Sequence, residues 1–210
     1  QRLTYLGDDT RCVGWSRDGA NIIFTTNAGA PFSRIFQLAQ VPKEGGPCQS
    51  LELGPAAHIS FSRRRGQVIG RHTWDPARWK RYRGGRAQDV WIYDLARNAS
   101  RQLTDFAGSD HQPAWVGDTI YFASDRTPTL NLYAVSPRGG AARAVTDFSD
   151  FDVLWPSGGP DAVVFEQGGG VLSGVGAQVG EHAVAAFPSG GFISVWDEGA
   201  MESTIPGGYD

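Results

Sequence analysis

Lysine, methionine and cysteine are scarce in this chain of 210 residues, which contains two lysines, one methionine and two cysteines. Two cysteines are too few for a disulfide framework, and no run of about 18 apolar residues occurs that would predict a membrane-spanning helix. Glycine, proline and aromatic residues are plentiful by contrast, with 28 glycines, 12 prolines and 24 aromatic side chains. This composition favours short strands joined by tight turns over helices.

The charges of the chain are distributed unevenly. The formal net charge is −3, yet residues 63–86 contain nine of the 19 basic residues and only one acidic residue, Asp75. No lysine or arginine follows Arg143. A cationic segment inside an otherwise acidic chain indicates a local anion-binding site rather than a general nucleic-acid surface. We therefore expect neither nucleic acid nor a membrane as a partner.

A pattern of turns and strands recurs along the chain. In its first copy an Asp-Gly turn at residues 18–19 separates Trp15 from the apolar stretch 22–24, and further strands are predicted at 34–38 and 51–53. An aromatic residue marks each copy, and the intervals between successive ones are 46, 54 and 40 residues. Four strands in about 40 to 45 residues is typical of a β-propeller blade. The four aromatic residues are Trp15, Phe61, Trp115 and Trp155.

These repeats predict an all-β fold, a partial β-propeller of about four to five four-stranded blades over residues 1–168. Residues 3–4 match the closing strand at residues 103–104, since both read Leu-Thr. We therefore expect the ring to begin mid-blade, to be incomplete and to be part of a longer protein. Residues 169–210 are predicted to form a divergent β-hairpin tail or a degenerate blade. A meandering β-sandwich, which has similar strand spacing, is the alternative fold.

One segment resembles a known family. Residues 74–91 read Trp-Asp-Pro-Ala-Arg-Trp-Lys-Arg-Tyr-Arg-Gly-Gly-Arg-Ala-Gln-Asp-Val-Trp, which is similar to the first propeller of the tricorn protease family. The Trp-Ser-Arg-Asp-Gly run at 15–19 and the Ser-Asp-Arg run at 124–126 fit the same family but are shared with TolB-type propellers. The resemblance covers about residues 1–168.

Members of this family are large cytoplasmic serine peptidases that assemble into oligomers and trim short peptides. The resemblance implies that this chain belongs to the first, six-bladed propeller, which precedes a seven-bladed propeller and the catalytic domains. It implies a hydrolase whose catalytic residues lie outside this chain, with a non-catalytic role here in channelling or gating peptides. The implied partners are peptides, the rest of the peptidase chain and further subunits of the same protein, with no cofactor. A TolB-like protein-binding propeller and the propeller of a prolyl-oligopeptidase-like hydrolase are the alternatives.

Basic and aromatic residues alternate in the cationic segment, which makes it the best candidate for a binding site. Arginine grips a carboxylate with a planar fork of donors. The resemblance implies that a basic pair in this propeller anchors the C-terminal carboxylate of the peptide. The alternatives are an insertion that packs Trp74 and Trp79 on the propeller with solvated arginines, and a patch that stacks bases and pairs phosphates. The predicted anchor residues are Arg78, Lys80, Arg81 and Arg83.

No catalytic or metal site is predicted from the remaining residues. The histidines and serines lie in no recognisable nucleophile motif, and the histidines and cysteines do not have the spacing of metal ligands. We expect His111 to be an ordinary hydrogen-bonded histidine. Cys12 and Cys48 are expected to be buried apolar residues, with a disulfide as the alternative. The Asp-Arg pair at 125–126 is predicted to lock an inter-strand loop, and Asp18 to bond the amides of its own turn.

Overall fold

The structure is a computed structural model that describes residues 2–62, 66–71, 80–85, 87–94, 97–159 and 162–168, together with the backbone of two strands at 182–186 and 192–196. Its strands form four antiparallel sheets of four strands each, which we name blades A to D in chain order. In each blade the strands lie side by side in the order in which they follow one another along the chain. None of the described segments forms a helix long and apolar enough to cross a bilayer.

The strand bounds are as follows. Blade A consists of β1 (Thr10–Trp15), β2 (Asn21–Thr26), β3 (Gln37–Pro42) and β4 (Gln49–Pro55), and blade B of β5 (His58–Phe61), β6 (Gln67–Gly70), β7 (Val90–Asp94) and β8 (Ala99–Gln102). Blade C consists of β9 (Asp110–Val116), β10 (Thr119–Ser124), β11 (Asn131–Val135) and β12 (Arg143–Ala144), and blade D of β13 (Asp152–Gly158), β14 (Val163–Gly168), β15 (His182–Ala186) and β16 (Phe192–Trp196).

The first strand of each blade lies innermost. Strands β1, β5, β9 and β13 line one common cleft, and β9 lies next to both β5 and β13. Sheets arranged radially around their first strands form a partial β-propeller, as predicted, rather than two stacked sheets. Strands β15 and β16 extend blade D beyond residue 168, and the domain boundary at that residue stays a prediction.

The β1–β2 hairpin shows why the chain turns where it does. Gly19 has a φ of 69°, in the left-handed region that favours glycine, and its N–H donates to the carbonyl of Ser16 at 2.9 Å. The carboxylate of Asp18 accepts hydrogen bonds from the Ser16 hydroxyl at 2.6 Å and from the Ala20 N–H at 3.0 Å. The Ser16 bond lowers the pKa of Asp18, and the Ala20 bond adds to it. The predicted role of Asp18 is therefore confirmed.

Blade C is buried on both of its faces. On β10, Ile120 and Phe122 pack toward blade B, where they meet Val90. Tyr121, which lies between them in sequence, packs on the other face against Phe165 of blade D. Successive side chains of a strand point to opposite faces of the sheet, so one strand serves two hydrophobic interfaces.

The two cysteines do not form a disulfide. Cys48 packs against the apolar cluster that contains Phe24 and Val41, whereas Cys12 is exposed. The expectation of a buried side chain is therefore wrong for Cys12. The reason is its position on the innermost strand β1, where it lines the open cleft.

Replacing Phe165 tests whether packing between blades C and D stabilises the fold. Phe165 is 1% exposed in the interface, so Phe165→Ala is expected to lower the free energy of unfolding by about 3–5 kcal/mol. The neighbouring Val164 points away from this interface and is 40% exposed. As the control, Val164→Ala is expected to cost less than about 1 kcal/mol. Equilibrium denaturant unfolding measures both losses, and equal losses would contradict the packing described.

Candidate functional site

The described part of the basic segment, residues 80–85, belongs to the connection between β6 and β7. In blade B the first residue of β5, His58, pairs with the last residue of β6, Gly70. In blade C Asp110 pairs in the same way with Ser124. The connection that follows Gly70 therefore leaves blade B at the edge of the propeller where the inner strands begin.

Two contacts fix this segment to the neighbouring blades. The backbone N–H of Arg81 donates to the carboxylate of Asp125, in the loop after β10 of blade C. The ammonium of Lys80 lies 2.6 Å from each carboxylate oxygen of Asp152, the first residue of β13 in blade D. Asp152 also accepts the N–H of Leu130 at 2.8 Å. The segment thus bridges blades C and D, and Asp152 balances the charge of Lys80.

The side chains of Arg81 and Arg83 are exposed. Within the described part of the chain, neither guanidinium has a hydrogen-bond or ion-pair partner. The fourth predicted anchor residue, Arg78, lies outside the described residues. Trp74 and Trp79 also lie outside them, so the alternative of an insertion packed through these two rings stays a prediction.

Asp125 and Arg126 lock the loop to which the basic segment is attached. Asp125 is 2% exposed, and its carboxylate accepts the N–H of Ser109 at 2.8 Å. Arg126 forms an ion pair with the fully buried Asp110, the first residue of β9. The guanidinium of Arg126 also lies 4.5 Å from the centroid of the Phe106 ring, in cation–π geometry. The predicted loop lock is confirmed, and it ties the loop to an inner strand.

The negative charges of Asp105 and Asp110 act on Asp89 close to Arg126. Burial raises the pKa of Asp110, while the Arg126 charge opposes this rise. Burial likewise raises the pKa of Asp89 to about 6, and the negative charges of Asp110 and Asp105 add to the effect. The amide of Gln102 donates to Asp89 at 3.0 Å, which favours the ionised form. The folded protein therefore disfavours the ionised form of Asp89, which is the main form at neutral pH.

The inner strands of the four blades surround a cleft of about 750 Å³. Its lining contains the aromatic residues that mark the four sequence repeats, together with two arginines. Among the described lining residues there is no aspartate or glutamate. The aromatic residues are Trp15, Phe61, Trp115 and Trp155, and the arginines are Arg11 and Arg17.

His111 on β9 differs from the expectation. It is 1% exposed, and burial lowers the pKa of its imidazole to about 3, with a further contribution from the charge of His58. Neither ring nitrogen has a hydrogen-bond partner among the described residues, so the prediction of an ordinary hydrogen-bonded histidine is wrong. The reason is that β9 is buried along nearly its whole length between two other blades.

The sequence matches a known domain family. The family model described as tricorn protease N-terminal β-propeller domain matches residues 1–174. This chain belongs to the tricorn protease family. The tricorn protease of Thermoplasma acidophilum is 33% identical over 178 residues, which cover 81% of this chain and 16% of the relative. The putative tricorn protease homolog 2 of Streptomyces coelicolor is 30% identical over 233 residues, which cover 98% of this chain and 20% of the relative.

Solved structures resemble this tricorn-family chain as well. A crystal structure of the tricorn protease matches with a TM-score of 0.77 and 28% identity, covering 92% of this chain and 18% of that one. A putative TolB from Agrobacterium tumefaciens matches with a TM-score of 0.63 and 15% identity, covering 89% of this chain and 80% of that one. At that identity the likeness to TolB shows the propeller fold alone. The tricorn-family chain spans only 16% to 20% of the length of the two curated relatives.

One feature of this edge is not evident from the sequence. Lys80 and Asp152 lie 72 residues apart, and no local pattern pairs them. A sequence pattern that could have indicated this ion pair nevertheless exists. Asp110 and Asp152 occupy the same position in neighbouring blades, the first residue of an inner strand. Each takes part in an ion pair at the edge of the propeller where residues 80–85 lie.

Asp89→Asn tests the carboxylate cluster. Because the folded pKa of Asp89 is raised from 3.8 to about 6, the fold binds a proton that the unfolded chain releases, and stability falls as pH rises through this window. Asparagine stays neutral and can still accept the Gln102 hydrogen bond. We expect the variant to be more stable than the parent at pH 7 by about 1 kcal/mol, allowing for the partial exposure of Asp89.

The same comparison at pH 4 should show no gain, since Asp89 is protonated there in the folded parent. Thermal unfolding followed by circular dichroism at both pH values measures the difference. Asp147→Asn removes an exposed carboxylate and serves as the control. A gain in the Asp89 variant that is as large at pH 4 as at pH 7 would contradict the raised pKa.

His111→Leu tests the buried imidazole. The pKa of His111 is about 3 in the folded protein and 6.5 in the unfolded chain. Between these pH values the unfolded chain binds a proton that the folded protein does not bind. The parent therefore loses stability as pH falls from 6.5 toward 3. Leucine removes this linkage. Between pH 7 and pH 4.5 the parent should lose about 2–3 kcal/mol more than the variant. Urea unfolding at the two pH values measures the losses, and parallel pH profiles would show that His111 titrates normally.

Proposed function

We propose that this chain is the non-catalytic propeller portion of a tricorn-like serine peptidase, in which it channels peptides in the cytoplasm and holds their C-terminal carboxylate. Membership of the tricorn family supports the peptidase context. The observation that carries the proposal is the pair of exposed guanidinium groups of Arg81 and Arg83 on a backbone fixed to two blades. Peptide-bond cleavage is assigned to domains outside this chain.

The basic segment is held in place before a ligand binds. A carboxylate of blade C accepts the Arg81 N–H, and one of blade D pairs with the Lys80 ammonium. A Cβ atom at Gly84 would clash with the Tyr82 hydroxyl, so glycine at this position lets the tyrosine ring lie against the segment. A preorganised site loses less conformational entropy on binding than a mobile one.

Among the described residues of this region, the charges left available belong to Arg81 and Arg83. Arg126 already pairs with a buried carboxylate, and Lys80 with a partly buried one. Arg81 and Arg83 have no such partner among the described residues. The planar fork of a guanidinium fits a carboxylate through two parallel hydrogen bonds, which gives orientation as well as attraction. In this arrangement Lys80 positions the segment, and the arginines bind the peptide.

Holding the end of a peptide fixes where the rest of it lies. The segment is at the edge where the inner strands begin, and those strands line the cleft. A peptide anchored here through its terminal carboxylate has its scissile bond at a distance set by the number of residues between them. Such positioning lowers the entropic part of the barrier for a nucleophile on another domain.

Binding of peptides with free and amidated C-termini tests the anchor. N-terminally labelled peptides of the same sequence are titrated with the full chain, and fluorescence anisotropy gives each Kd. The parent should bind the free acid at least tenfold more tightly than the amide, roughly the worth of one charge-assisted hydrogen bond. Replacing both Arg81 and Arg83 by glutamine should remove most of this difference and leave the affinity for the amide unchanged.

Two further variants sharpen the result. Arg138→Gln removes an exposed arginine elsewhere and should behave as the parent. Lys80→Ala together with Arg81→Ala should weaken binding of the free acid only, because it removes one guanidinium and releases the segment from Asp152. Equal affinity of the parent for the free acid and the amide would contradict the anchor.

A further inference from the structure

The backbone of Arg81 has a conformation that residues other than glycine rarely adopt. Its φ is 56°, in the left-handed region. Such a conformation persists only where surrounding contacts hold it, and it occurs often at binding and catalytic sites. Because Arg81 belongs to the proposed carboxylate anchor, the contacts that hold its backbone also affect where its side chain lies.

A buried carboxylate holds the backbone of Arg81. Asp125 is 2% exposed, and its two oxygens accept different backbone N–H groups. Oδ1 accepts the N–H of Ser109 at 2.8 Å, and Oδ2 accepts the N–H of Arg81. Hydrogen bonds to an ionised carboxylate are roughly twice as strong as those between neutral groups. One carboxylate therefore joins Arg81 to the residue that precedes the inner strand β9.

Glycine at position 108 makes room for this carboxylate. A Cβ atom there would clash with Oδ1 of Asp125 and would lie 2.5 Å from the Phe106 ring. The φ of Gly108 is outside the left-handed region, so the backbone itself does not require glycine. The need for glycine at this position comes from the close approach of these two side chains. The loop after β10 and the loop before β9 are thus shaped around the carboxylate.

We propose that Asp125 is a positioning residue of the peptide anchor, which acts by holding Arg81 in the left-handed conformation. Rotation about the N–Cα bond moves Cβ relative to the preceding chain, so the φ of Arg81 decides where its guanidinium lies. Asp125 is buried whereas Arg81 is exposed, so the arginine binds the peptide and the aspartate acts through it. The inference rests on the proposed function, because it takes Arg81 as a carboxylate-binding group.

Asp125→Asn separates the two hydrogen bonds of the carboxylate. The oxygen of asparagine can accept the buried Ser109 N–H, and the amide nitrogen then faces the Arg81 N–H, donor against donor. The full chain is titrated with the labelled free-acid and amidated peptides, and fluorescence anisotropy gives both Kd values. We expect the preference for the free acid to fall about threefold or more, because the guanidinium is displaced. The Kd of the amide should not change.

The sign of this effect distinguishes positioning from electrostatics. Removal of a negative charge beside an anion site would by itself strengthen binding of the free acid. A weaker preference therefore requires that Arg81 has moved. Asp147→Asn removes an exposed carboxylate from another loop and should keep the preference of the parent. An unchanged or increased preference in Asp125→Asn would overturn the proposal.

A double-mutant cycle shows whether Asp125 acts through Arg81. In the Arg81→Gln background, Asp125→Asn should change the preference for the free acid by less than about twofold, because the guanidinium that it positions is absent. In the Arg83→Gln background, the same change should keep its effect of about threefold. Equal losses in the two backgrounds would indicate a general distortion of the fold and would contradict a role through Arg81.

Glycine and alanine at position 81 test the backbone conformation without any peptide. Glycine adopts a left-handed φ at no steric cost, so Arg81→Gly should unfold about 2–4 °C above Arg81→Ala. Arg83 is not in the left-handed region, and there the alanine variant should unfold at least as high as the glycine variant. Thermal unfolding followed by circular dichroism gives this answer even if Asp125→Asn does not fold. The same order at both positions would argue against the proposal.

Failure of the anchor and failure of the positioning role give different results. Equal affinity of the parent for the free-acid and amidated peptides would reject the anchor, and the positioning role would be rejected with it. A parent that prefers the free acid, together with an Asp125→Asn variant that prefers it as strongly, would reject the positioning role alone.

Discussion

A four-stranded sheet with apolar side chains on both faces needs a cover on each side. Blade C satisfies this need because β10 sends Ile120 and Phe122 into the interface with blade B and Tyr121 into the interface with blade D. Each of these side chains is at most 1% exposed, and their burial supplies the main free energy that holds neighbouring blades together. Because the blades pack face to face, their first strands converge, and this convergence creates both the cleft and the edge to which residues 80–85 are attached.

The edge is polar, so its buried groups need partners. Asp110 and Asp152 are the first residues of two neighbouring inner strands, and each is paired with a cation from elsewhere in the chain. Arg126 reaches Asp110 from the loop after β10, and Lys80 reaches Asp152 of blade D from the connection between β6 and β7 of blade B. A buried carboxylate without such a partner would be strongly destabilising. Pairing of a cation with the first residue of an inner strand therefore stabilises this edge and also holds the basic segment in place.

Local signals made much of the fold predictable from the sequence. The Asp-Gly turn at 18–19 and the Asp-Arg pair at 125–126 make their contacts within a few residues or within one blade. The types and spacing of these residues were therefore enough to predict their structural roles. The charge of the basic segment was visible too, but the pairing of Lys80 with Asp152 joins different blades and follows only from the packing. The aromatic lining of the cleft was not predicted, because the recurring aromatic residues identify the repeat without showing that they share one surface.

Backbone bulges explain why the detailed lining of the cleft does not follow from the sequence. Gln112 and Trp155 have φ values of 53° and 51°, which non-glycine residues rarely adopt, and both lie where the register of an inner strand shifts. The regular alternation of a strand would not bring the Gln112 amide to the Trp155 N–H. Irregular positions of this kind depend on contacts across two blades, and a sequence pattern of period two does not encode them.

Net charge is a poor guide to what this surface attracts. The chain as a whole is acidic, but at physiological ionic strength charges are screened over about 8 Å, so a bound peptide senses mainly the groups nearest to it. Lys80 and Arg126 contribute little there, because carboxylates neutralise them. Arg81 and Arg83 on the basic segment have no such carboxylate among the described residues. The proposed attraction for a peptide carboxylate therefore depends on these two guanidinium groups, which the blade packing leaves exposed at the edge of the propeller.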